Sequence, residues 1–378
     1  MRLYLSRTIY FFLLFHISAY SLPIQDVLDT HTGLLNQEES RRVENALKDY
    51  LSSEELKSAD AASMSGGWMS KMFKVETPYQ TFVLRIMDLG ASLEARYHEV
   101  AVSALAAHKK LSPKLLYSDR EATIMLIEFI PGRNLQYDSD EDLRTLLDLI
   151  IKWHETPLAE HVIDQPQDLV ARMMNRYKHC IRKSVPVPKE LQSSLVQADK
   201  INKAIHELFS DAVLCHNDLH CRNVMVNSHE AKLIDWTLAS YQDPFFDLAS
   251  IATYLLLDDQ ETEWMLSYYL GRSLTLREEQ LWTLIRPLPI LIFAVWAFYS
   301  IDDVPPTLCP EELWASPDLS MVNRALKMHA SGEDPEMDTE YRYRLGCALL
   351  RHYLNSVNTN KYQKALNSLV LHPQMHGE

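Results

Sequence analysis

The feature of this sequence that most constrains its fold is the pattern H-x-D-x-x-x-x-N, formed by His216, Asp218 and Asn223, with Asp235 a little further on. Apolar runs precede the motif and flank Asp235, and residues 227–230 read as a turn between two short strands. Such a hairpin would bring Asn223 and Asp235 to neighbouring strand ends. Their side-chain oxygens are the ligands that a hard cation such as Mg²⁺ prefers. The pattern therefore predicts a metal site beside Asp218. The alternative is a polar loop whose side chains only satisfy backbone groups.

The roles of the motif residues follow from the chemistry of phosphoryl transfer. In that reaction an Asp orients the substrate hydroxyl and accepts its proton, while an Asn and a second Asp hold Mg²⁺ against the nucleotide phosphates. We assign the first role to Asp218 and predict ATP and Mg²⁺ as cofactors. His216 is expected to brace the loop, because the reaction depends mainly on positioning and charge neutralisation. Asp247 is expected to cap the next helix and to bond the same loop, and His154 to be packed or capping rather than catalytic.

The motif and its surroundings resemble the catalytic core of the aminoglycoside phosphotransferase/choline kinase superfamily. The segments 216–219, 234–236 and 243–249 are most similar to bacterial choline, ethanolamine and thiamine kinases. The resemblance implies an α+β, protein-kinase-like fold of two lobes, with a small, mostly β N-terminal lobe and a larger, mostly α C-terminal lobe. It also implies ATP-dependent phosphorylation of a small-molecule hydroxyl. In such proteins the position of His220 faces the γ-phosphate or the substrate.

The resemblance divides the chain into a nucleotide-binding lobe at residues 40–130 and a catalytic and substrate lobe at residues 131–378. In the first lobe, Ser65, Gly66 and Gly67 read as a turn between strands. Glycines in such a turn would let backbone amides approach nucleotide phosphates. The alternative is a hairpin with no ligand.

A cation and a carboxylate are also expected in the first lobe. Residues 80–86 read as a strand that carries Arg85, which the resemblance implies meets the nucleotide phosphates. A helix is predicted at residues 92–108, and the resemblance implies that a Glu on this helix pairs with Arg85. Glu99 is the first candidate and Glu94 the second. The resemblance further implies that backbone groups from Glu128 to Ile130, at the hinge between the lobes, contact adenine.

The substrate pocket is only partly indicated by the sequence. The resemblance places a pocket tyrosine at Tyr241 and paired aromatic residues at Phe293 and Trp296, which would hold an ammonium group by cation–π contacts. Aromatic residues at this spacing in an apolar helix are otherwise core residues. Thr237 stands where choline-type kinases usually carry Glu, which weakens the case for a cationic substrate. An amino alcohol such as choline or ethanolamine is nevertheless the first choice of acceptor.

Composition excludes several classes of partner. The net charge of −14 makes nucleic acid an improbable ligand, and a small-molecule alcohol substrate is expected instead. The five cysteines are scattered without a C-x-x-C pair, so we expect reduced thiols and no zinc site. The sequence leaves the oligomeric state open.

The N-terminal residues 1–21 have the basic, apolar and small-residue order of a signal peptide. A misassigned start or an ordinary apolar segment are the alternatives, and the apolar part is too short for a stable membrane span. A cytoplasmic location is favoured because the reaction needs ATP, whereas a functional signal peptide would mean secretion.

Two other functions compete with an amino alcohol kinase. An antibiotic kinase of the aminoglycoside or macrolide type would share the core and differ in its acceptor pocket. A secreted pseudokinase that binds a ligand without catalysis is the second, although the complete set of Asp218, Asn223 and Asp235 opposes it.

Overall fold

The computed structural model describes residues 21–64, 70–87, 89–156, 169–208, 212–228, 230–305, 308–331 and 338–371. Within these residues the strands are β1 (Leu22–Pro23), β2 (Asp60–Met64), β3 (Lys71–Glu76), β4 (Thr81–Ile86), β5 (Leu115–Ser118), β6 (Ile124–Glu128), β7 (Arg133–Asn134), β8 (Val213–Cys215), β9 (Val224–Val226), β10 (Ala231–Leu233) and β11 (Ser240–Gln242). The helices are α1 (Ile24–Leu28), α2 (Gln37–Tyr50), α3 (Ser53–Lys57), α4 (Leu93–His108), α5 (Asp140–His154), α6 (Leu169–Arg182), α7 (Lys189–Leu208), α8 (Phe245–Tyr254), α9 (Asp259–Leu270), α10 (Leu276–Ile285), α11 (Leu288–Tyr299), α12 (Pro310–Ala315), α13 (Ser320–Ser331), α14 (Thr339–Val357) and α15 (Asn360–Leu371).

The chain forms two compact units. The first contains the chain up to Asn134 together with Met225–Ile234, and the second contains Leu135–Val224 and the chain from Asp235 onward. The first unit holds the large sheet and the second is mainly helical. This arrangement confirms the predicted α+β, two-lobed class.

A six-stranded sheet organises the first unit, in the order β1-β2-β3-β4-β6-β5, with antiparallel neighbours throughout. Strand β4 confirms the strand predicted around Arg85. Its Phe82, Leu84 and Ile86 are buried, while the residues between them are half-buried. Because side chains alternate along a strand, Arg85 lies on the face of the sheet opposite to this core.

Helices α1 and α2 cover the core face of this sheet. Ile24, Val43 and Leu47 are fully buried in the same apolar cluster as Phe82 and Leu84. Both helices begin before or at residue 40, where the sequence placed the start of the lobe, so residues 21–39 contribute to the unit. The core of this unit is therefore assembled partly from chain that the family resemblance does not reach.

The second unit is built around the apolar helix α11, which packs against α14. Its residues from Leu288 to Phe298 are almost all buried. Gly346 of α14 lies against Phe298, and a Cβ at that glycine would come within 2.8 Å of the ring. This approach requires glycine, since a larger residue would push the two helices apart.

One apolar stretch and the cysteines complete the description of the fold. Leu276–Tyr299 is long and apolar enough to cross a membrane, and 67% of its most apolar 18-residue window is buried inside the structure, as in the core helix of a soluble protein. The five cysteines are free thiols, and all except Cys309 are buried.

Candidate active site

Two short strands lead the chain into the predicted catalytic loop. Strand β8 pairs antiparallel with β11, with Cys215 opposite Ser240 and Leu214 opposite Tyr241. The loop begins at His216, directly after β8. Tyr241, the predicted pocket tyrosine, therefore lies on the strand next to the entry of the catalytic loop, and its side chain is half-buried.

Asp247 braces this loop from the first turn of α8. Its fully buried carboxylate accepts hydrogen bonds from the backbone amides of His216 at 2.8 Å and Asn217 at 2.6 Å. The Nε2 atom of His154 lies 3.0 Å from the same carboxylate. A carboxylate only accepts, so this nitrogen must carry a proton, and the other ring nitrogen can accept from the hydroxyl of Tyr269 at 2.8 Å. His154 thus has a bracing role that its place in the sequence did not reveal.

A second brace comes from Asn217 itself. This residue has a positive φ of 64°, a conformation that Asn tolerates better than most residues. Its side-chain nitrogen donates to the carbonyl of Leu238 at 3.0 Å and to the hydroxyl of Ser240 at 2.8 Å. The fully buried His216 contributes packing, with its ring 4.7 Å from that of Trp236. Hydrogen bonds of both the backbone amide and the side chain of Asn217 therefore fix the loop directly before Asp218.

Asp218 and Asn223 are brought together as the motif predicted. The amide nitrogen of Asn223 donates to the backbone carbonyl of Asp218 at 2.8 Å and to its carboxylate at 3.2 Å. The Asp218 side chain keeps 31% of its surface exposed. Because the nitrogen of Asn223 is used inside the loop, its amide oxygen is the atom suited to bind a cation.

His220 approaches the same carboxylate. Its Nδ1 accepts a hydrogen bond from the backbone amide of Arg222 at 3.2 Å, so the proton of the neutral ring is on Nε2. That Nε2 lies 3.7 Å from the Asp218 carboxylate. Burial alone would raise the pKa of Asp218, but His220, and to a smaller extent His216 and His329, outweigh it and hold that pKa well below its usual range. Asp218 is therefore a carboxylate at neutral pH and is suited to orient a hydroxyl group.

Asp235 has the unusual backbone that follows β10. Its φ of 64° and ψ of 75° lie in the left-handed region, and its carboxylate accepts from the hydroxyl of Thr237 at 2.6 Å and from the amide of Thr237 at 3.4 Å. Together with Asn223, Asp235 supplies oxygen donors from one amide and one carboxylate, which is the chemistry that Mg²⁺ prefers. The residues present fit that metal, and Thr237 orients one of its ligands.

Two of the three predicted pocket residues, Phe293 and Trp296, belong to a larger aromatic cluster in which neighbouring rings are in contact. Phe293 is buried and Trp296 half-buried, with ring centroids 5.6 Å apart. Phe293 also lies 6.2 Å from Tyr254 and 5.9 Å from His329. His329 is 4.3 Å from His220, which completes a continuous path of rings from Trp296 to the side of Asp218. We call Tyr254, Phe293, Trp296 and His329 the aromatic cluster.

In the first unit, Arg85 and Glu99 form the ion pair that the sequence predicted. Their charged groups are 2.8 Å apart, and only 11% and 6% of the two side chains are exposed. Glu94, the second candidate, is exposed at the start of α4. The nucleotide-binding role of the pair stays a prediction.

The structure describes only some of the other residues that were predicted to contact the nucleotide. Ser65, Gly66 and Gly67 lie outside the described residues. The backbone amide of Glu128 donates to the carbonyl of Lys114 at 2.9 Å, so this amide is occupied within the unit. Ile130 is half-buried just beyond β6.

Comparison with known proteins finds similar chains. The family model named Phosphotransferase enzyme family (APH) matches residues 60–284. The chain is 22% identical over 222 residues to Protein LicA of Haemophilus influenzae, a match that covers 56% of the chain and 63% of that protein.

Solved structures share the fold at low identity. A Plasmodium vivax ethanolamine kinase superposes with a TM-score of 0.61 at 14% identity, covering 87% of the chain and 91% of that structure. The choline kinase LicA from Streptococcus pneumoniae gives a TM-score of 0.54 at 18% identity, covering 89% and 100%.

Proposed function

Because the chain belongs to the phosphotransferase enzyme family and is a small-molecule kinase, we propose that it transfers the γ-phosphoryl group of ATP to the hydroxyl of an amino alcohol. The observation that carries this proposal is the continuity between Asp218 and the aromatic cluster. His220 lies beside the Asp218 carboxylate and within ring contact of His329, while Phe293 and Trp296 extend the same cluster. An ammonium group held against such rings would be attracted by cation–π interactions.

The proposed reaction assigns a task to each residue of the site. Asp218 orients the acceptor hydroxyl and receives its proton as the phosphoryl group is transferred. Asn223 and Asp235 would hold Mg²⁺, which neutralises phosphate charge when it is bound. Asp247 keeps the loop in place, so the hydroxyl is oriented without a rearrangement of the backbone.

Arg85 has the corresponding task in the first unit. Glu99 neutralises part of its charge and fixes its side chain, and a guanidinium held in this way is suited to bind phosphate oxygens. Because the reaction consumes ATP, we also propose that it takes place in the cytoplasm of the cell that contains the protein. Residues 1–20, which bear on export, lie outside the described part of the chain.

The direct test is a phosphoryl-transfer assay with the full chain. The protein is incubated with Mg-ATP and choline, ethanolamine, thiamine or an aminoglycoside, and phosphorylated product is measured by mass spectrometry. We expect turnover of an amino alcohol, which Asp218→Asn should abolish. Turnover that survives Asp218→Asn would contradict the catalytic assignment, and ATP binding without turnover on the whole panel would support a pseudokinase. Turnover of the aminoglycoside alone would show that the acceptor is an antibiotic and not an amino alcohol.

Two aromatic variants test the pocket separately. Trp296→Ala should raise KM for the amino alcohol and leave KM for ATP unchanged, because Trp296 belongs to the aromatic cluster. Trp264→Ala is the matched control, since Trp264 contacts Tyr268 and Arg144 outside that cluster. Equal effects of the two variants would place the ammonium elsewhere.

A further inference from the structure

An arginine that the motif did not reveal lies beside the proposed pocket. Arg176, in the middle of α6, is half-buried with its guanidinium 5.4 Å from the centroid of the Tyr299 ring. Among the residues that the structure describes, no carboxylate forms an ion pair with it. Charged groups that are withdrawn from water are usually paired, so an arginine in this situation is prepared for an anion from outside the chain.

Tyr299 links this arginine to the aromatic cluster. Phe293, Trp296 and Tyr299 follow one another at intervals of three residues along α11, so they form one row on the helix surface. In that helix most residues are buried, whereas Trp296 and Tyr299 are half-buried. The row is therefore partly accessible, and it runs from Phe293, which contacts His329, to Tyr299, which lies against Arg176.

The electrostatic surroundings of Arg176 point to the same place. Burial lowers the pKa of Arg176, while Tyr299 and the carboxylate of Asp218 act in the opposite direction. Asp218 is thus near enough to influence the guanidinium, although the two do not form an ion pair.

We propose that Arg176 binds an acidic group on the acceptor, so that the substrate is an amino alcohol that also bears a carboxylate or a phosphate. This inference rests on the proposed function and narrows it. Guanidinium groups bind both kinds of anion through paired hydrogen bonds, and stacking on Tyr299 keeps the planar fork in one orientation. The ammonium of the same molecule would contact the rings of Phe293 and Trp296.

The test compares acceptors that differ only in the acidic group. Ethanolamine is compared with serine, and serinol with serinol monophosphate, using the full chain and Mg-ATP. We expect kcat/KM to be about tenfold to a hundredfold higher for at least one acidic member, the effect of one hydrogen-bonded charge. The serine and serinol monophosphate results distinguish a carboxylate from a phosphate.

Variants of the arginine test its contact. Arg176→Met should remove the preference for the acidic acceptor without changing KM for ATP, and Arg176→Lys should restore part of it. Arg182→Met, at the exposed end of the same helix, is the control and should keep the preference. If Arg176→Met does not fold, the preference of the unaltered protein still decides the question.

Three outcomes would overturn the inference. If ethanolamine and serinol are phosphorylated as well as or better than serine and serinol monophosphate, the acceptor needs no acidic group. The protein would then still be an amino alcohol kinase. An increase in KM for ATP in Arg176→Met, with acceptor preference unchanged, would assign Arg176 to the nucleotide. Failure of every amino alcohol, with ATP still bound, would overturn the proposed function and this inference with it.

Discussion

The buried carboxylate of Asp247 accepts a hydrogen bond from the backbone amide of Asn217 at 2.6 Å, directly before Asp218, the proposed catalytic residue. The other carboxylate oxygen accepts from the amide of His216 and lies 3.0 Å from His154. Both oxygens are thus used in holding the loop, and neither is left for substrate. This arrangement assigns Asp247 to positioning, in agreement with the role expected from the sequence.

Replacing Asp247 by Asn should reduce kcat more than substrate binding. An amide nitrogen would face one of the donors that the carboxylate now accepts, which leaves a buried group unsatisfied at a cost of about 1–3 kcal/mol. We expect kcat to fall while the dissociation constant for ATP changes little. Steady-state kinetics and nucleotide titration measure the two quantities, and unfolding by denaturant measures the stability. Asp259→Asn, on an exposed helix start, serves as control. Unchanged kcat in Asp247→Asn would show that the brace is dispensable.

The ion pair in the first unit leads to a second prediction. Glu99→Gln removes the charge that fixes Arg85, and breaking a buried pair by removal of one partner costs about 3–5 kcal/mol of stability. KM for ATP should rise about tenfold, which corresponds to about 1.4 kcal/mol of binding, and KM for the acceptor should not change. Glu94→Gln on the same helix is the matched control. If both variants raise KM for ATP equally, Glu99 has no special role.

The parts of the site that could be predicted are those fixed by short-range spacing. Asp218 and Asn223 meet because five positions of one loop separate them. The pair of Arg85 and Glu99 was expected because the family resemblance implies that a Glu on the helix after this strand pairs with the strand's cation.

Contacts between distant parts of the chain could not be predicted in the same way. His154 lies 93 positions from Asp247, and the sequence pattern of its own helix indicates only a packed or capping residue. His329 and Arg176 reach this region because α13 packs on α8 and α14 while α6 packs on α11, and no local pattern of residues encodes those packing angles. The place of Tyr254 in the aromatic cluster could not be predicted for a related reason, because in the sequence a tyrosine of an apolar helix cannot be distinguished from a core residue.

A third prediction concerns the hydroxyl of Thr237. Thr237→Val keeps the shape of the side chain but removes the donor to Asp235, so the carboxylate loses one of the contacts that orient it. Loss of such supporting contacts typically weakens metal affinity about tenfold or more. The Mg²⁺ concentration for half-maximal activity should increase accordingly, as measured by titration at saturating ATP. Thr237→Ser retains the hydroxyl and should behave like the unaltered protein. The same Mg²⁺ requirement in both variants would exclude this role.

The lowered pKa of His329 leads to a prediction of how the free energy of unfolding depends on pH. Burial, followed by repulsion from His220 and Arg222, holds the pKa of His329 well below its ordinary value. A histidine whose pKa is lowered by folding is neutral in the native protein at a pH where the unfolded chain has already bound a proton. The unfolded state therefore binds more protons below about pH 6.5, and stability must fall as the pH decreases.

His329→Phe keeps an aromatic ring and removes this titration. The free energy of unfolding of the unaltered protein, relative to that of His329→Phe, should decrease steadily from pH 7.5 to pH 5 in denaturant titrations without metal. His31→Gln, at an exposed position, should leave the pH dependence of the unaltered protein intact. A difference that stays constant over this range would mean that His329 binds its proton equally in the folded and unfolded protein, and one that grows as the pH falls would mean that the folded protein binds it more tightly.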